Sequence, residues 1–305
     1  MIDTPGCYSI SADEYHADPC PSPSLSASIA TILIQQSPMH AKAAHPRLTP
    51  NPVREEAKHL DLGTICHALM LEGIDVAHVI TATKKEGSGK NRIDTGEPVT
   101  DYKTKDAQTE RDAARAASKC PVLAHEMPEI LSMMDACRMQ LATHRDAYDA
   151  FTNGKPEQTL VWREPSGIWC RARVDWMMND RPSMYDYKTG KRSARPSDVS
   201  RIAAGAGWTI QAAFYRRGFK AVFGQDLEPD FRFVAQENFA PYALSVLELS
   251  PADLALAEAQ VDVAINRFAE CLQSGIWPGY SRNVERIISP AYLEMAWQES
   301  QLEEV

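Results

Sequence analysis

The sequence predicts an α/β fold, and three observations carry that expectation. A β-hairpin is legible from Trp169 to Thr189. Trp169, Arg171, Arg173 and Asp175 alternate with Cys170, Ala172, Val174 and Trp176, and Asn179-Asp180-Arg181-Pro182 supplies turn residues before Ser183 to Thr189 returns. Strand-like runs flank this hairpin, Glu157 to Trp162 before it and Phe231 to Glu237 and Tyr242 to Leu249 after it. Segments of helical period lie around them, chiefly Arg54 to Gly73, 105 to 148, Asp198 to Phe223 and 250 to 274.

Taken in order, residues 1 to 53 are rich in Pro and Ser and read as an arm packed on a core. Ala27 to Ile34 is apolar enough for a short helix capped by Ser24 or Ser26, and prolines at 38, 46, 50 and 52 break the chain into turns. Arg54 to Gly73 predicts a helix with Leu60, Ile65, Leu69 and Leu71 inward and Gly73 as its stop. His67 sits in it among apolar neighbours, where a satisfied core histidine is the commoner role and a metal ligand the sharper one. Thr83 to Thr104 is polar and reads as a mobile loop. Its GSGKNR departs from a phosphate loop, with Lys84 where glycine is needed and Asn91 where Ser or Thr is needed. Asp101-Tyr102-Lys103-Thr104 repeats the DYKT of residues 186 to 189 with no apolar strand before it, and is expected to be inert.

Residues 105 to 148 predict helices divided by Pro121 and Pro128, with Ile130, Met133, Met134, Cys137 and Leu141 as a buried stripe. Beyond the hairpin, Asp198 to Phe223 is helical with interruptions at Gly205 and Gly207, and Gln211 and Tyr215 share one face. Ser250-Pro251 opens a long helix to about Ser274, and a last helix spans Pro290 to Leu302. One domain is expected: an arm (1–53), a mainly helical part (54–150), a catalytic sheet core (151–250) and C-terminal helices (251–305).

Composition narrows the class. A chain of 305 residues buries a large core, and 44% hydrophobic with 24% charged residues is ordinary for a globular protein. No apolar run is long enough for a bilayer and the N-terminus lacks a secretory pattern, so a cytoplasmic enzyme without membrane contact is expected. The seven cysteines are scattered with no CxxC pair, against a disulfide framework or zinc site. A net charge of −9 opposes general attraction to nucleic acid, yet residues 186 to 220 carry eight Lys/Arg against Asp186 and Asp198.

The chemistry centres on the hairpin. If Met178 and Ser183 close a four-residue loop, Asp175 lies opposite Asp186, and Lys188 shares the face of Asp186. Opposed carboxylates repel unless a cation lies between them, which points to a divalent metal on oxygen ligands with a lysine beside it. Asp175 and Asp186 are the expected ligands, the Tyr187 carbonyl a further one, and Glu157 an acidic candidate from the preceding strand. Such a site suits phosphodiester hydrolysis, with nearby arginines positioning a nucleic-acid backbone. A surface hairpin with one Lys–Asp pair is the plain alternative.

The stretches IWCRARVDWM, MYDYKTG and WTIQAAFYRRGF together resemble the PD-(D/E)XK nuclease superfamily, in its RecB-like branch, most nearly the exodeoxyribonuclease VIII (RecE-type) nucleases of phages and prophages. GCYSISADEYHADPCPSPSLSASIATILIQQSP resembles that group's opening arm, GTICHALMLEG its histidine-bearing helix and SGIWPGY its late Trp-Pro segment. The resemblance implies a restriction-endonuclease-like core, a mixed central β-sheet flanked by helices, with an N-terminal arm and helical insertions. It also implies Mg²⁺, with Mn²⁺ as a substitute, on Asp175 and Asp186, Lys188 as the catalytic lysine, His67 as the early motif histidine beside the metal, and Gln211 and Tyr215 as a Gln-xxx-Tyr helix contacting DNA or supporting the site. Glu157 matches an upstream acidic position, and Val174 stands where the name-giving proline often stands. The implied activity is exonucleolytic removal of nucleotides from double-stranded DNA ends, 5′ to 3′, by a homo-oligomer working beside a single-strand annealing protein in recombination. A structure-specific endonuclease or nickase of the same fold, and a catalytically silent DNA-binding or assembly protein, are the rival readings.

Overall fold

The computed structural model describes residues 1–49, 62–73, 76–87 and 93–303. A central sheet of seven strands organises it: β1 (Gly6–Tyr8), β2 (Leu25–Ser26), β7 (Gly154–Arg163), β8 (Trp169–Met178), β9 (Ser183–Gly190), β10 (Asp230–Glu237) and β11 (Leu244–Leu247). Its order is β1-β7-β8-β9-β10-β11, with the two-residue β2 added to β8. Pairing is antiparallel except β9 with β10 and β2 with β8, so the sheet is mixed. Parallel pairing of β9 and β10 requires a crossover. Helices α7 (Pro196–Gly205) and α8 (Trp208–Phe223) supply it.

The arm is more than a covering. Helices α1 (Ala12–His16), α2 (Ala27–Gln35) and α3 (Pro38–Ala44) accompany its two strands, and β1 pairs with β7 some 150 residues later in the chain. Ser26 caps α2 by accepting from the Ile29 amide at 3.4 Å, while Pro38 opens α3 where a turn was expected. Buried Arg171 ties the arm to β8 by donating to the Ser24 hydroxyl and carbonyl and to the Tyr15 carbonyl.

Two helical layers cover the sheet. On one side α2, α8 and α9 (Pro251–Ser274) bury Ile29, Leu33, Phe214, Val261 and Phe268 against Leu160, Trp162, Met184 and Phe233. On the other, α4 (Leu62–Glu72) and α6 (Met127–Ala142) bury Ile65, Leu69, Met133 and Cys137 against Tyr185, Tyr187 and Val234. Each fully buried large apolar side chain stabilises the fold by about 1.5–3 kcal/mol. Gly207, at φ 75, lets α8 begin against α2, because a Cβ there would lie 2.5 Å from the Thr31 methyl.

Several expectations are revised. The 54–61 part of the first long helix, including Leu60, lies outside the described residues. Thr83 to Thr104 is not a structureless loop: β4 (Thr83–Glu86) and β5 (Ile93–Pro98) pair antiparallel, with 88–92 outside the described residues. Segment 105–148 resolves into α5 (Lys105–Ala116), α6 and, around Pro121, a short strand β6 (Cys120–Val122) that pairs with β3 (Ala77–Val79). The last helix, α10 (Ala291–Glu303), is exposed along its described length. Among the described residues no helix is long and apolar enough to cross a membrane.

Candidate active site

Three neighbouring strands bring three carboxylates into one row. Strands β8 and β9 pair at Met177–Met184 and Trp176–Tyr185, and the same register carried one step further sets Asp175 opposite Asp186. The ladder stops before that step. There the Tyr187 amide donates to Asp175 Oδ2 at 2.9 Å, so a carboxylate takes the place of a strand carbonyl. On the other flank, Pro156–Trp176 and Gln158–Val174 pair, bracketing Glu157 against Asp175.

Local rules break at this row. Glu157 has φ 54, a conformation side-chain-bearing residues rarely adopt. Alternation also fails at Asp175: Cys170, Ala172 and Val174 enter the α8 core, but Trp176 and Met178 enter the α4 core. Such irregularities cluster where a sheet re-aims a side chain toward a site.

Two helices and one strand complete the cluster. From α4, His67 Nε2 lies 2.9 Å from Asp175 Oδ2, and its ring stacks on Tyr187 with centroids 5.9 Å apart. From α8, Gln211 Nε2 donates to Asp186 Oδ1 at 2.5 Å. From β9, the Lys188 ammonium lies 2.6 Å from Asp186 Oδ2. Glu157 is held by a short hydrogen bond from Arg173, which also donates to the Ile10 carbonyl at 2.8 Å.

Proton affinities diverge across the row. Burial, with the Asp175 charge beside it, pushes the Asp186 carboxyl up to about 6, against Lys188 and His67. Burial acts on Asp175 in the same sense, but the His67 hydrogen bond and charge, Lys188 and the Tyr187 amide outweigh it and hold that carboxyl below its ordinary value. Burial disfavours the charged forms of His67 and Lys188 too, yet neighbouring carboxylates win and raise both. Burial raises Glu157, with Arg173 opposing. The row thus keeps Asp175 anionic and leaves Asp186 the more easily protonated.

The donor set fits a divalent cation. Ligand atoms of His67, Glu157 and Asp175 lie within 4.8 Å of one another. Asp186 falls outside that group, whereas the sequence placed the metal between Asp175 and Asp186. Its carboxylate is drawn toward Gln211 and Lys188 instead. Even so, Asp186 Oδ2 is buried without a well-formed hydrogen bond: the lysine is close enough for an ion pair but misaligned for donation. Two carboxylates suit hard cations such as Mg²⁺ and Mn²⁺, and the imidazole leans toward the softer of the two.

The two expected tyrosines support the row from its flank. Tyr187 presents its amide to Asp175, while its hydroxyl is buried against Gln236 through a short hydrogen bond. Tyr215 is buried with its ring edge-on to Phe231 and lies beside Gln211 and near both aspartates, a placement that supports the site from beneath. The basic character of α8 is largely spent within the fold: Arg217 pairs with Glu164 and Asp262, and Arg216 and Lys220 with Glu228. Asp101 and Lys103 pair with each other at 2.9 Å. Arg173 was not singled out by sequence, although its position two residues before Asp175, on the same predicted face, was the available signal. Trp208, whose ring centroid lies 5.7 Å from the Lys188 ammonium, carried no local signal.

Comparison with known proteins agrees with this architecture. A family profile described as a PDDEXK-like domain of unknown function (DUF3799) matches residues 28–290. A crystal structure from Eubacterium rectale described as a "putative exonuclease" superposes with a TM-score of 0.53 over 92% of this chain and 97% of the other, at 10% identity, which shows a shared fold. A search of curated proteins finds no match.

Proposed function

Because the chain belongs to the PDDEXK-like domain family, we propose that it is a Mg²⁺-dependent exodeoxyribonuclease acting on double-stranded DNA ends. The observation that carries the reading is the row Glu157, Asp175 and Asp186, with Lys188 2.6 Å from Asp186 and His67 2.9 Å from Asp175. The word exonuclease in the description of the Eubacterium rectale structure supports it. Resection from 5′ to 3′, a homo-oligomeric state, and work beside a single-strand annealing protein in recombination rest on the resemblance to the RecE-type group.

Glu157, Asp175 and His67 would hold the cation, with the Asp186–Lys188 ion pair at its edge. When bound, such a cation neutralises a phosphate and acidifies a water. Lys188 positions the attacking water against the phosphate and balances charge as the leaving oxygen becomes anionic. Gln211 fixes Asp186 through Oδ1, while Oδ2 lies against the Lys188 ammonium. The His67 hydrogen bond keeps Asp175 ionised and oriented.

The test is release of nucleotides from end-labelled linear duplex with Mg²⁺ or Mn²⁺. Wild type releases label, while Asp186→Ala and Lys188→Ala, still folded, lose at least a hundredfold in rate, the order expected for one electrostatic group. Unchanged release in either variant refutes the assignment. Cleavage of closed circular duplex would replace the exonuclease reading with an endonuclease one.

A further inference from the structure

A second feature opens beside Lys188. It is a slot of about 290 Å³, at the lower end of small-ligand pockets, which run from roughly 300 to 1,000 Å³. Its walls are apolar, built by Val199 and Ile202 of α7, Trp208 at the start of α8 and Ala235 of β10. At its mouth stand Lys188 and the exposed Lys191 and Arg192. Among the described residues Lys191 and Arg192 have no ion-pair partner, unlike the cations of α8.

The slot is preformed. The loop after β9 is pinned on both sides, because the Asn238 amide donates to the Gly190 carbonyl at 2.9 Å and the Ala194 amide to Glu237 Oε1 at 3.1 Å. Trp208 is fixed by stacking on Phe233, with centroids 5.2 Å apart at 27°. The same indole borders the Lys188 ammonium, so slot and row share a wall.

We propose that this slot takes one unpaired nucleobase of the strand whose phosphate lies at Lys188. The assignment rests on the nuclease reading and deepens it. A polynucleotide alternates anionic groups with flat apolar rings, and the structure offers the same alternation: an apolar recess with an aromatic wall, rimmed by unpaired cations, next to the lysine of the row. Aromatic contact accepts any base, since every base has a π-face, so the slot holds the strand in register without reading its sequence. A paired base cannot enter alone. The slot therefore selects a frayed or displaced nucleotide at a duplex end, and withdrawing that nucleotide from its stack is the cost of entry.

The experiment uses a fluorescein-labelled duplex with a short single-stranded end, and a series in which one nucleotide at a time is abasic. Binding to the full chain is followed by anisotropy in EDTA, so the readout does not depend on cleavage. One abasic position is expected to weaken binding by wild type roughly five- to hundredfold, the range for loss of one base–aromatic contact. Ile202→Trp, which fills the slot, should bind the intact duplex as weakly as wild type binds that abasic one. Arg192→Ala, a surface change, should weaken binding of both duplexes equally. Equal binding of every abasic duplex and the intact one by wild type overturns the proposal, and that arm needs no variant to fold. Nucleotide release with Mg²⁺ is measured alongside. Abasic-sensitive binding without release leaves the slot standing and removes the nuclease reading.

Discussion

Neutralising one of the aspartates should stabilise the metal-free protein. Asp186 is almost wholly buried, and burial with the Asp175 charge raises its carboxyl from an ordinary 3.8 to about 6. Because the folded state holds this proton more tightly than the unfolded state, the carboxyl favours folding at low pH. That advantage drains away as pH rises from about 4 to about 6, and above 6 the ionised group is a standing cost. Two pH units correspond to about 3 kcal/mol at 1.36 kcal/mol per unit. Asp186→Asn removes the charge while its Oδ1 still accepts from Gln211. Lys188 loses one counter-charge but keeps Asp175, which reduces the net gain to about 1–2 kcal/mol at pH 8. Urea unfolding in EDTA at pH 5 and pH 8 is the assay. The variant should exceed wild type at pH 8 and gain less at pH 5. Adding Mg²⁺ should then stabilise wild type by ligand linkage and the variant less, because Asp186 stands at the edge of the group that would hold the cation. An Asn variant less stable than wild type at pH 8, or an equal response of both to Mg²⁺, would refute the reasoning.

Other consequences are simpler to read. His67→Gln removes the imidazole facing Asp175 and should weaken Mn²⁺ binding roughly ten- to hundredfold by calorimetric titration, with folding retained. Gly218→Ala places a Cβ 2.6 Å from the Trp162 ring and should lower stability by about 1–3 kcal/mol in urea unfolding, tilting α8 away from β7. Arg217→Ala strands the buried Glu164 and should cost about 3 kcal/mol, while adding Glu164→Gln should recover most of that loss.

What the sequence made legible was local. Strands β8 and β9 were readable because alternation and a four-residue turn fix register within one hairpin, and register is what brings Asp175 to Asp186. Helix α9 was bounded by its own caps: Ser250 accepts from the Asp253 amide at 3.1 Å, and Gly275 closes the far end at φ 70. The arm could not be read as part of the sheet, since Gly6 to Tyr8 finds its partners at Thr159 to Val161. Nor could the pairing of the α8 cations, because Arg217 meets a glutamate 53 residues earlier.

The site itself combines both cases. Its aspartates and lysine obeyed a local pattern. The features that make the row usable do not: a left-handed Glu157, a broken alternation at Asp175, and a carboxylate accepting from an amide where a ladder bond would run. A sheet that followed its periodicity through Asp175 would send Trp176 into the same core as Val174. The switch of Trp176 to the α4 side falls where the β8–β9 ladder ends, with His67 meeting Asp175 there and the left-handed Glu157 facing it from β7. Local consistency specifies the fold, and its failure at one row of the sheet opens the place where the proposed cation and phosphate would enter.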